Sequence, residues 1–153
     1  MKKGNHELSD IDDKIIKALQ EDGRMANTII ARNLGVSEAT VRNHIAKLID
    51  DQIIQIVAVA NPFKIGLGIT ALIDIQADIA KIDSVAEKLK NIEEIWYIAL
   101  ATGASNFDVE VYLPSIEMLD DLLQNKIWKI DGVLHTTTSI VLSYIKRDYR
   151  WKF

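Results

Sequence analysis

Residues 29–48 run Ile-Ile-Ala-Arg-Asn-Leu-Gly-Val-Ser-Glu-Ala-Thr-Val-Arg-Asn-His-Ile-Ala-Lys-Leu, and their spacing leaves few ways to fold. Ala31 is small enough for two helices to cross closely, Gly35 can take a positive φ at a turn, and Ser37 can cap the helix that follows. Glu38 then falls in that helix's first turn, where a negative charge suits the dipole. Val41, Ile45 and Leu48 recur at i, i+4 and i+7 and should face a core, leaving Thr40, Arg42, Asn43, His44 and Lys47 outward. Two short helices joined by a tight turn, the second presenting side chains of groove-reading type, make a helix-turn-helix, whose first expected partner is duplex DNA. Any αα-hairpin with a Gly C-cap and a Ser N-cap shares part of this pattern.

The candidate DNA-binding set is therefore Ser37, Thr40, Arg42, Asn43, His44 and Lys47. Arg42 can pair bidentately with guanine O6/N7 or hold a phosphate, whereas Lys47 offers a point charge suited to phosphate. Asn43 can hydrogen-bond adenine, though Asn is also an ordinary exposed residue. His44 can carry partial charge near neutral pH or sit as a neutral surface residue.

Composition narrows the setting. The chain has 153 residues, enough for two small domains, and no cysteine, which excludes disulfides and thiolate metal sites and suits a cytoplasmic protein. No cofactor or metal motif is present, and the longest apolar-rich stretch, 53–60, is too short for a bilayer, so no membrane partner is expected. The net charge of −4 is unevenly placed: residues 1–50 hold eight Lys/Arg against eight Asp/Glu, residues 51–145 six against thirteen, and residues 146–153 four against one. A locally neutral DNA-binding domain is attracted weakly, and several copies per complex compensate.

Leu8, Ile11, Ile15 and Leu19 lie on a helical stripe begun by Ser9-Asp10 and ended by Asp22-Gly23; residues 27–34 and 37–50 form the next two helices. Residues 53–60 are β-branched and apolar until Asn61-Pro62 breaks them, which predicts a strand leading into a linker. Beyond Pro62, period-two alternation over 69–77, helical spacing of Ile82, Val85, Ala86 and Leu89, strand-like runs at 95–101 and 107–113 around Thr-Gly-Ala-Ser-Asn, helical spacing of Ile116, Leu119, Leu122 and Leu123, and a strand over 133–145 give the order β-α-β-β-α-β. The expected class is α+β: a winged helix-turn-helix domain over 1–52, a strand linker over 53–65, a ferredoxin-like domain over 66–145 and a basic tail over 146–153. Ile69, Ile73, Ile75, Val109, Val111, Val141 and Ile145 look like more apolar surface than two short helices cover, which predicts a face-to-face homodimer.

This order of elements resembles the Lrp/AsnC family of feast/famine transcription regulators over essentially the whole chain. Leu8-Ser9-Asp10-Ile11-Asp12 looks like the family's Leu-Asp-x-x-Asp start, Asp22-Gly23-Arg24 its helix-ending Asp-Gly-Arg, and Gly35-Val36-Ser37-Glu38-Ala39-Thr40-Val41-Arg42-Asn43 its recognition-helix entry. Gly132-Val133, Thr136-x-Thr138 and Ile140-Val141-Leu142 are similar to its final strand. His44 stands where Arg is common, and Ala26 where a capping Ser is common. The resemblance implies a sequence-specific transcription regulator that binds double-stranded operator DNA, homodimers that assemble into a ring of four dimers, and an amino acid or related small effector bound between dimers. The family's effector loop reads Thr-Gly-x-x-Asp; counted to Asp108, the loop here is two residues longer.

Thr102, Gly103, Asp108, Thr136 and Thr138 are the candidate effector-binding residues. Asp108 can take an ammonium group, Gly103 permits close backbone approach, and the two Thr hydroxyls are expected on a neighbouring strand. Local turn hydrogen bonding accounts for Asp108 equally well. Trp96, Trp128 and Trp151 read as core or interface anchors, and the tail as a basic segment touching an acidic surface or DNA, or as a frayed terminus. A ligand-sensing oligomer without DNA binding stays open. Sirohaem decarboxylases resemble the same two-domain plan, yet their His and Tyr-Arg motifs are not apparent near Trp96-Tyr97, and no nucleophile or phosphate loop points to an enzyme.

Overall fold

The computed structural model describes residues 8–148 and Arg150; Tyr149 and 151–153, the aromatic part of the expected tail, lie outside the described residues. The chain divides into two compact units, one ending at Val59 and joined by the segment from Lys146, the other running Ala60–Ile145.

The first unit contains α1 (Asp10–Glu21), α2 (Asn27–Leu34) and α3 (Glu38–Asp50). Ser9 opens α1 with a capping box: its hydroxyl accepts from the Asp12 amide at 3.2 Å while the Asp12 carboxylate accepts from the Ser9 amide at 3.0 Å. Ile15, Ile16, Ile30, Ala31, Val41 and Leu48 are buried together as one core. The expected strand over 53–60 is absent among the described residues. The Ile53 and Ile54 amides turn back to the Leu48 carbonyl at 2.9 and 3.2 Å and close the end of α3. The following residues wall a groove of about 570 Å³ with Ile16 and Leu19 of α1, and among the described residues their β-branched pattern meets no second strand.

The second unit is a four-stranded antiparallel sheet of β1 (Ile69–Ala77), β2 (Ile95–Leu100), β3 (Phe107–Leu113) and β4 (Val133–Ile140), in the spatial order β2-β3-β1-β4. The helices α4 (Ile82–Lys90) and α5 (Ile116–Asp121) intervene, and α5 runs directly into a π-helical turn, Leu122–Ile127. This is the expected β-α-β-β-α-β order. Val85, Leu89, Leu119, Leu122, Ile127 and Ile130 pack over one sheet face against Ile73, Ile75, Val109 and Val111.

The sheet corrects the argument from apolar excess. Alternation places Ile73, Ile75, Val109 and Val111 on a single face, where the helices bury them completely or nearly so. The register sets Asp74 opposite both Asp108 and Thr137, and Leu72 opposite Glu110 and Ser139, so the other face is a mixture of acids, hydroxyls and a few large apolar groups. A bulge between Ile95 and Tyr97 turns Trp96 onto that face, stacked on Tyr112 with ring centroids 5.7 Å apart. The last strand is also shorter than its pattern. After the Val141 amide donates to Thr70 O at 2.9 Å the chain leaves the ladder, and Leu142 and Ile145 are 97% and 95% exposed.

Candidate nucleic-acid interface and effector region

The turn between α2 and α3 forms as its residues require. Gly35 sits at φ 69°, ψ 30°, and its amide returns to the Ala31 and Arg32 carbonyls. A side chain at this φ would be strained. Val36 N also donates to Ala31 O at 3.1 Å, and Ala31, only 5% exposed, leaves room for α2 to meet α3. Ser37 caps α3, its hydroxyl accepting from Thr40 N at 3.1 Å and lying 2.8 Å from the Thr40 hydroxyl. Ser37 and Thr40 thus serve first to start the helix.

Arg42, Asn43 and Lys47 are exposed, as are Ala39 and Ala46, which share their stripe of α3. The two alanines keep that stripe low between the long polar side chains, so the helix axis can come close to whatever surface it meets; carrying no chemistry of their own, they give no signal in the sequence. His44 differs. It is half-buried and turned toward α1, with Nδ1 2.7 Å from Asp12 Oδ1.

In the second unit Thr102 and Gly103 lie exposed in the loop between β2 and β3, Gly103 at φ 135°. That loop is stitched to the end of β1. Asn106 N donates to Ile75 O at 2.8 Å, Ala101 N to Asn106 O at 2.9 Å, and Ala77 N to Asn106 Oδ1 at 2.8 Å. Counted from Thr102, Asn106 occupies the last place of Thr-Gly-x-x-Asp, so the loop keeps that spacing with an amide in place of the acid. Counting to Asp108 hid this residue. Asp108 itself lies two residues on, on the sheet face away from the helices, and accepts from the Ser105 hydroxyl at 3.0 Å.

Thr136 and Thr138 are not beside Asp108. They pair with Ile75 and Ile73 and share the helix-covered face, with β1 lying between β4 and β3. Thr136 Oγ1 accepts from the Trp128 indole at 2.9 Å. Instead, Asp108 is joined on its face by Asp74, and Glu110 accepts from the Tyr144 hydroxyl at 2.8 Å. Burial, reinforced by hydrogen bonding to Tyr144 and Glu110, pushes the Tyr112 hydroxyl well above the usual tyrosine range.

The model of the AsnC-type helix-turn-helix domain matches residues 8–57, and that of the Lrp/AsnC ligand binding domain matches residues 70–151. The chain belongs to the Lrp/AsnC family. Lrp/AsnC relatives include an uncharacterised HTH-type transcriptional regulator of Pyrococcus furiosus, 40% identical over 93% of this chain and 97% of its own. Among solved structures, AsnC of Escherichia coli is 28% identical with a TM-score of 0.84, covering 91% of this chain and 95% of its own. The leucine response regulatory protein LrpA of Mycobacterium tuberculosis is 27% identical, also with a TM-score of 0.84, over 94% and 99%. As an Lrp/AsnC member the protein is an HTH-type transcriptional regulator, with a DNA-binding domain followed by a ligand-binding domain. Among the described residues no helix is long and apolar enough to cross a membrane.

Proposed function

We propose that α3 enters the major groove of operator DNA and reads it through Arg42 and Asn43, with Lys47 on the phosphates. One observation carries this reading: an exposed polar stripe on a capped helix, interleaved with alanines, in which neither Arg42 nor Lys47 finds an ion-pair partner among the described residues. Arg42→Ala should cost about 1–3 kcal/mol on a site selected by the wild type from random duplex DNA, whereas Lys47→Ala should weaken all sequences alike and lower the salt slope by about one. Fluorescence anisotropy measures both, and an Arg42 variant of unchanged affinity refutes the placement.

The ligand-binding domain takes an amino acid or close relative, and Thr102, Gly103 and Asp108 form the polar part of its site. Support comes from Asp74 and Asp108 lying directly opposite one another, a like-charge pair that an ammonium group relieves, beside a loop whose backbone is open at Gly103. Thr136 and Thr138, on the far face, do not belong to it. Titration calorimetry with the twenty amino acids, wild type against Asp108→Asn, tests this; no heat with any of them refutes it. The same open face, through Leu72, Trp96 and Tyr97, is the surface on which two copies form a homodimer before any larger ring.

A further inference from the structure

The Asp12 carboxylate is divided between two tasks. Its Oδ2 accepts from the Ser9 amide at 3.0 Å and the Ser9 hydroxyl at 2.7 Å, while Oδ1 faces His44 Nδ1 at 2.7 Å. Both side chains are shielded, with 15% of Asp12 and 28% of His44 exposed. Burial alone raises the Asp12 pKa, but the hydrogen bonds from His44 and Ser9 outweigh it and hold the group at about 2. One ionised carboxylate therefore locks the first turn of α1 and grips the middle of α3. No other hydrogen bond between side chains of those two helices is recorded among the described residues.

The grip falls one residue after Asn43 and two after Arg42. Apolar packing of Val41, Ile45 and Leu48 holds α3 against the core, yet such contacts are non-directional and tolerate a roll about the helix axis. A roll of about 20° displaces a side chain roughly 6 Å from the axis by roughly 2 Å. That is more than a bidentate base contact survives. We propose that His44 is a positioning residue: through Asp12 it fixes the roll of α3, and so sets which bases Arg42 and Asn43 reach, without contacting DNA itself.

This rests on α3 being the reading helix, and the experiment separates the two ideas. A duplex enriched by the wild type from a random pool is compared with a scrambled duplex of equal length and composition. The affinity ratio is measured for wild type, Asp12→Asn, His44→Gln and the double variant, at a temperature where circular dichroism shows all four folded. Each single variant should lower the ratio roughly five- to tenfold, and the double should be no worse than either single, as expected of coupled partners. Asp12→Asn is the decisive member, because removing a negative charge by simple electrostatics raises affinity for both duplexes alike and leaves their ratio unchanged. A lowered ratio in His44→Gln but not in Asp12→Asn makes His44 a base-contacting residue and overturns the proposal. Fully additive losses, or lowered melting temperatures with unchanged ratios, overturn it as well. If the wild type enriches no sequence at all, the reading of α3 fails first, and this inference with it.

Discussion

Replacing Gly132 by alanine probes how tightly α4 is pressed onto the turn that launches β4. Gly132 has φ +107°, a conformation that costs an L-residue roughly 1–2 kcal/mol. Its new Cβ would stand 2.9 Å from Lys81 Cβ, 2.9 Å from Val85 Cγ2 and 3.1 Å from Lys81 Cδ. The lysine chain can move, but Val85 is completely buried in the core, so the contact must be relieved by shifting packed atoms, at a further cost of roughly 1–3 kcal/mol. The expected destabilisation is then about 2–5 kcal/mol. Urea unfolding followed by tryptophan fluorescence suits this domain, since Trp96 and Trp128 both lie within it. Gly103→Ala is the internal control: its φ is +135° and no atom lies within 4 Å of an added Cβ, so it should show the backbone term alone. If Gly132→Ala costs no more than Gly103→Ala, the close approach of α4 to this turn is not what selects glycine.

Two further expectations concern the first unit. Ser37→Ala removes the hydroxyl that accepts from Thr40 N and should destabilise it by about 1 kcal/mol, read as a lower midpoint of thermal unfolding, while Ser37→Asp should restore most of that loss. Asp12, held at about 2 against a usual 3.8, stabilises the fold fully above roughly pH 4 and ceases to as pH falls toward 2, a loss of about 1–2 kcal/mol. Acid titration of stability should accordingly be shallower below pH 4 in Asp12→Asn, and identical slopes would remove the ionic character of the pair with His44.

What could be read from the sequence was what depends on near neighbours. The helix start at Ser9-Asp10, Gly35 with Ser37, and the alternation of β1 each need only residues a few places away, and each forms as expected. Residues 53–60 have the composition of a strand, but a strand also needs a partner, and composition names none. The side of the sheet that the helices choose was equally hidden: periodicity sorts Ile73 from Asp74 without saying which is covered, so Ile73, Ile75, Val109 and Val111 were counted as surplus that α4 and α5 in fact consume. His44 was misplaced for a related reason. Helical spacing puts it near the edge of the polar stripe, and only an acid 32 positions earlier, on another helix, turns it inward. Thr136 and Thr138 were put beside Asp108 because strand order is not sequence order: β1, first in the chain, inserts between β3 and β4.

The π-helical turn at Leu122–Ile127 gives the second helix of this domain a place to absorb changes in length. Its inward residues are Leu119, Leu122, Ile127 and Ile130, spaced three, five and three apart. Spacings of three, four and three would keep such a row on one face of an ordinary helix, so the wide turn behaves as one inserted residue taken up by a locally larger loop of backbone. Without that widening, everything after it would be rotated by about 100°, carrying Ile127 off the sheet. A chain built this way can gain or lose a residue here while β4 still enters at the same edge. The neighbouring helix α4, regular throughout, has no comparable slack, and an insertion there would swing Leu89 out of the core.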